Sequence, residues 1–111
     1  MITKYLVLVD KLQTSTRERK IIWEKGRLYN EYKAAIGNNS VSIEYNPAIK
    51  EEDTNGSVSL MIWNSKGEII DKIRAYSNYD VFDNLYRLYE SARRSCLKVE
   101  ETVDEMIAEL E

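Results

Sequence analysis

Between positions 80 and 110 the chain runs 31 residues without a Gly or a Pro. Its apolar side chains fall at Val81, Leu85, Leu88, Ala92, Cys96, Val99, Val103, Met106 or Ile107, and Leu110. Steps of three and four make one stripe along a helix. The stretch predicts one long helix, or two helices with a bend near 96–99. Straight, it would measure about 46 Å at ~1.5 Å per residue. A compact domain of this size has a radius of gyration of ~13 Å and a diameter of about 34 Å. A helix that outruns its own domain carries its stripe into water, where an apolar stripe needs a partner. Val99, Val103, Met106, Ile107 and Leu110 are the expected interface, and a twofold homodimer is the expected assembly.

Upstream the pattern changes. Ile2, Tyr5, Leu6, Val9 and Leu12 mark a first helix over 1–16, which the polar run Gln13-Thr14-Ser15-Thr16 is expected to end. Ile21, Ile22 and Trp23 suggest a short strand, and 28–36 a second. Gly37-Asn38-Asn39 is a hairpin turn, because Gly and Asn tolerate positive φ. Beyond it Val41, Ile43 and Tyr45 alternate with Ser40, Ser42 and Glu44, which gives one buried and one wet face. Residues 46–56 hold the one Pro and read as a mobile loop. In 57–63, Val58, Leu60 and Ile62 point inward. The outward set Ser59, Met61 and Trp63 is apolar enough to be a contact surface. Asn64-Ser65-Lys66-Gly67 turns into a last strand over 68–75, with Ile69 and Ile73 on one side. Ser77 and Asp80 have the spacing of a capping box for the long helix.

Strands grouped between helices predict an α+β fold. The expected layout is a single domain over 1–111. It holds a helix over 1–16 and a four- to five-stranded antiparallel meander over 20–75. A C-terminal helix over 78–110 packs on the sheet and extends into an oligomer interface.

Composition limits the chemistry. An apolar share of 43% with 32% charged residues fits an ordinary soluble protein. One Cys forms no internal disulfide, which suits a reducing compartment. The longest apolar run, 5–9, is too short for a bilayer, and no cleavage site follows it. A cytoplasmic protein without a membrane partner is expected. There is no His, so the usual general base and the usual partner of a nucleophile are missing. Cys96 lies on the apolar stripe, where a structural thiol is expected. Glu100, Glu101, Asp104 and Glu105 read as a solvated acidic face, since no oxygen-rich loop accompanies them. The Gly residues stand isolated at turns, without a phosphate loop. No enzyme, cofactor or metal is expected. A net charge of −3 argues against nucleic acid, whose one support is the basic stretch 17–27 around Trp23. Residues 1–33 hold eight Lys/Arg against four Asp/Glu, and 80–111 hold four against nine. The two ends can therefore attract, within one chain or between chains.

The alternative partner is an anionic small molecule such as a nucleotide. Arg93 and Arg94 interrupt the helix beside its stripe, and Arg suits bidentate binding of phosphate or carboxylate. Tyr86, Tyr89 and Arg93 step along one flank, and Tyr86, Tyr89 or Trp63 would stack a base. The plain alternative for Arg93 is a salt bridge to Glu90 or to a carboxylate on the sheet. The segments Lys20-Ile21-Ile22-Trp23, Asn64-Ser65-Lys66-Gly67-Glu68-Ile69-Ile70 and Leu88-Tyr89-Glu90-Ser91-Ala92-Arg93-Arg94-Ser95 resemble small uncharacterised proteins of bacteria and phages. The resemblance implies a compact prokaryotic or viral protein and supplies no catalytic residue. Size and Tyr/Arg content are also similar in kind to phage proteins that sequester nucleotide immune signals, without a shared motif.

Overall fold

The computed structural model describes residues 3–47, 56–77 and 81–111. Its elements are α1 (Thr3–Arg17), β1 (Trp23–Lys25), β2 (Glu31–Ile36), β3 (Asn39–Asn46), β4 (Ser57–Trp63), β5 (Ile69–Tyr76), α2 (Phe82–Cys96) and α3 (Val99–Leu110). The strands lie in sequence order, each antiparallel to the next. The chain is thus an α+β meander with one helix before the sheet and two after it. Among the described residues no helix is long and apolar enough to cross a membrane. Most of the loop expected at 46–56 lies outside the described residues.

Turn chemistry fixes the register. Gly37, at φ 62°, takes the first position of the two-residue loop between Ile36 and Asn39, which is where a type II′ hairpin needs Gly. At the next hairpin Gly67 is again at positive φ. There the Asn64 side-chain carbonyl accepts from the backbone N–H of both Lys66 and Glu68 at 3.0 Å. A register shift opposite Ile62 and Trp63 then bulges β5. Ile69 and Ile73, expected on one side, are separated by it: Ile73 packs against the core, whereas Ile69 is exposed across from Trp63.

α2 touches all five strands and carries the core. Leu85, Leu88, Tyr89 and Ala92 are its buried residues. They meet Tyr32, Ala34, Val41, Ile43, Val58, Leu60 and Ala75 from one sheet face. Burying a Leu fully is worth about 1.5–3 kcal/mol, and Leu85, Leu88, Leu60 and Ile43 are all at 0% exposure. α1 packs on α2 through Val9 and Leu12. It takes in the polar run and ends at Arg17, one residue past the expected limit. Thr16 donates its hydroxyl to the Leu12 carbonyl at 2.6 Å and accepts from the Trp23 indole N–H at 2.9 Å. The cap lies at Arg19, at φ 59°. The N–H groups of Arg19 and Lys20 return to the Thr16 and Ser15 carbonyls there, the pairing of a Schellman cap.

Of the two readings, one long helix or two with a bend near 96–99, the second holds. Lys98 sits in the left-handed region, at φ 54° and ψ 48°, as the N-cap of α3. Leu97 closes α2 through a bond to the Arg93 carbonyl at 2.9 Å. The capping box is also corrected. α2 begins at Phe82, with Val81 in the cap position and no side-chain cap bond, while Asp80 lies outside the described residues. Among the described residues α3, beyond the break, touches α2 and no other element.

Candidate functional site

Two surfaces stand apart from the packed core. The first is the sheet face opposite the helices. Register places Glu31 and Lys33 of β2, Ser42 and Glu44 of β3, Ser57, Ser59, Met61 and Trp63 of β4, and Lys72 and Arg74 of β5 on it. No helix packs on this face among the described residues, yet much of its centre is closed. Ser42 and Ser59 are at 0% exposure, Met61 at 5% and Trp63 at 9%. Long cationic side chains help to cover it. The Lys33 ammonium stands 3.8 Å from the Trp63 ring centroid, and the Arg27 guanidinium 5.6 Å from it. Such stems bury their methylenes while the charge stays wet. The Trp63 indole N–H donates to Ser42 at 2.9 Å, and Arg74 Nε donates to Ser59 at 3.1 Å. Met61 and Trp63, expected as an outward contact surface, are thus buried beneath their neighbours.

Glu31 closes one end of this face. It is 2% exposed. Its Oε1 accepts the backbone N–H of Arg27 at 2.8 Å, while Oε2 has no hydrogen-bond partner among the described residues. The carboxyl lies flat against Gly26, where a Cβ would come within 2.3 Å of Oε1. A hollow of about 510 Å³ opens here, with Arg27, Glu31, Glu44, Met61, Lys72 and Arg74 among its walls.

The second surface is α3. It has no buried residue. Val103 is 42% exposed, Met106 60%, Ile107 49% and Leu110 86%, and Val99, at the helix start, is half-buried. Its acids turn back toward the basic end of the chain. Arg19 pairs with Glu101 at 3.5 Å, and Arg94 pairs with Glu100. The charge attraction expected between the ends is met inside one chain at Arg19. These pairs border a hollow of about 570 Å³ shared by the end of α1, β1, α2 and α3. Cys96 lines it, and burial raises its thiol pKa.

The five ligand residues expected from the sequence do not converge. Tyr86 and Tyr89 belong to an aromatic cluster with Tyr32, Tyr45 and Phe82, with ring centroids 5.4–6.1 Å apart. Burial pushes the Tyr89 phenol up to about 12 and raises that of Tyr86 as well. Arg93 is held by Glu90, whose Oε2 accepts from Nε at 3.3 Å and from a terminal nitrogen at 2.9 Å. Arg94 is engaged by Glu100. Trp63 lies on the other sheet face. Glu31, Arg27, Lys33, Lys72 and Arg74 were not anticipated as a group. Part of their signal was present in the alternation, since Glu31 and Lys33 of β2 and Lys72 and Arg74 of β5 fall on the far side, beside the uncharged Ala35, Ile69 and Tyr76. Among the described residues no group of His, Cys, Asp or Glu could hold a metal ion. Comparison with family models, curated proteins and solved structures found no match to this chain.

Proposed function

We propose that this chain is a non-catalytic binding protein that works as a homo-oligomer, with α3 as the arm that joins the copies. One observation carries the reading: α3 leaves Val103, Met106, Ile107 and Leu110 in water while the rest of the chain builds an ordinary core. A stripe of this kind marks an interaction surface. The lack of His, and the engagement of Arg93 and Arg94 by carboxylates, favour binding over catalysis.

Charge points to a second copy as the occupant. Glu100, Glu101, Asp104, Glu105 and Glu109 flank the stripe. Ile22 is 76% exposed, and beside it Lys20, Lys25 and Lys33 line a groove of about 490 Å³ along β1. Glu24 lines the same groove and Lys20 pairs with Glu18, but lysines outnumber acids there, so an acid-flanked apolar helix complements it in sign. Ile22 also lines the hollow that holds Glu100 and Glu101 at the root of α3. A twofold axis set between root and groove lets each arm cover the other copy's groove, the isologous arrangement of most dimers.

The test is molar mass by light scattering, with Met106→Glu and Ile107→Glu as variants. The expected result is a dimer for the wild type and a monomer of unchanged circular dichroism for each variant. Because part of the attraction is ionic, raising salt from about 0.1 M to about 1 M, which shortens screening from ~10 Å to ~3 Å, is expected to weaken the dimer. A wild type that stays monomeric at tens of micromolar contradicts the reading.

A further inference from the structure

The Glu31 carboxylate is incomplete as it stands. A carboxylate enclosed by protein is costly unless each oxygen is satisfied. Here Oε1 is held by the Arg27 N–H, and Oε2 has no hydrogen-bond partner among the described residues. The carboxyl occupies the space a side chain at Gly26 would need, with a Cβ there falling within 2.3 Å of Oε1. In the same hollow stand Arg27, Lys72 and Arg74 against one further carboxylate, Glu44, which leaves the cations in excess; among the described residues none of the three forms an ion pair. Arg74 is fixed through Nε by Ser59, which leaves its terminal nitrogens for another acceptor. Leu28, Met61 and Ile69 supply apolar wall. The volume, about 510 Å³, lies in the ~300–1,000 Å³ range of small-molecule sites.

One hollow therefore offers an acceptor needing a donor, and cations needing an anion. We propose that it binds a guanine nucleotide. Arg and Lys hold phosphate by charge-assisted hydrogen bonds, Arg in bidentate form. A carboxylate accepts two N–H donors from one edge of a base. Guanine presents such a pair, N1–H and the 2-amino group, whereas adenine presents an acceptor at N1 beside its 6-amino group. Oε1 keeps a free lone pair beyond the one used by Arg27, so both oxygens can take part. Oε2 is enclosed, so the proposal requires one of the long side chains that line the hollow to move aside when the base enters. The apolar wall takes the face of the base.

This site is independent of the α3 arm, so its failure leaves the proposed assembly standing. Isothermal titration of the full chain with GMP tests it, with AMP, guanosine and inorganic phosphate as the other arms. GMP is expected to bind about tenfold or more tighter than each of these. Arg74→Gln and Lys72→Gln, both at exposed positions, are expected to weaken GMP about tenfold while the circular dichroism stays that of the wild type. Glu31→Gln, if it folds, is expected to remove the preference for GMP over AMP. Absence of heat with GMP at millimolar concentration overturns the proposal. So does equal binding of GMP, AMP and phosphate, or GMP affinity unchanged in both surface variants.

Discussion

α2 and α3 share a periodicity and differ in everything the periodicity is usually taken to mean. Both carry apolar residues in steps of three and four. In α2 those residues meet five strands, and Leu85, Leu88 and Ala92 are at 0% exposure. In α3 they meet water, and among the described residues α2 is the one element it touches. An amphipathic stripe states that a face needs cover; it does not state whose surface provides it. The break at Lys98 makes the difference. α2 stays on the sheet, and α3 is freed from following it.

The sharpest way to break the contrast is truncation on each side of it. Leu88→Ala removes a fully buried side chain and is expected to cost about 2–5 kcal/mol. Ile107→Ala, measured by urea unfolding at concentrations low enough for monomer, is expected to cost within about 0.5 kcal/mol. Similar losses at both positions would mean that α3 has an intramolecular partner. A smaller effect comes from the hinge. Lys98 holds a left-handed conformation that costs a non-Gly residue about 1–2 kcal/mol and Gly far less. Lys98→Gly is expected to raise stability by about 1 kcal/mol without loss of helical circular dichroism. A loss of stability would show that α2 and α3 are continuous in solution.

The two helices also differ toward alkali. α2 carries Tyr86 and Tyr89, and α3 carries no tyrosine. The Tyr89 phenol is raised from 10.0 to about 12, chiefly by burial, and those of Tyr32 and Tyr86 are raised by the same cause. A folded-state pKa above the unfolded one means that stability is intact below pH 10. It falls as the pH climbs toward 12, because the unfolded chain ionises first. Denaturation midpoints across that window are expected to decline, and Tyr89→Phe to flatten the decline. A midpoint independent of pH there would place Tyr89 in water.

Much of the fold was legible because alternation is a strong signal. Val41, Ile43, Tyr45, Val58, Leu60 and Ile62 all face the helices, as their period of two requires. The Gly37 and Gly67 turns were equally readable. Three features were not. The bulge in β5 reverses Ile69 without any residue that announces it. The αL residues are Arg19 and Lys98, where a reader would look for Gly. For Trp63 and Met61, alternation tells which way the side chain points, not whether the stems of Lys33 and Arg27 fold over it. The residues of the alternative ligand reading stay apart for a related reason. Arg93 and Arg94 each had a carboxylate within reach on their own helix or just past the break. Glu31, by contrast, attracts no notice in sequence, and its incomplete hydrogen bonding is visible only in three dimensions.

Sedimentation equilibrium of the wild type beside Ile107→Glu tests the central claim most directly. Twice the chain mass for the wild type, with the single chain mass for the variant, is the outcome expected of a stripe that another copy must cover. A wild type that sediments as one chain across the micromolar range would mean that α3 bears its apolar face unaided, and the assembly would have to be given up.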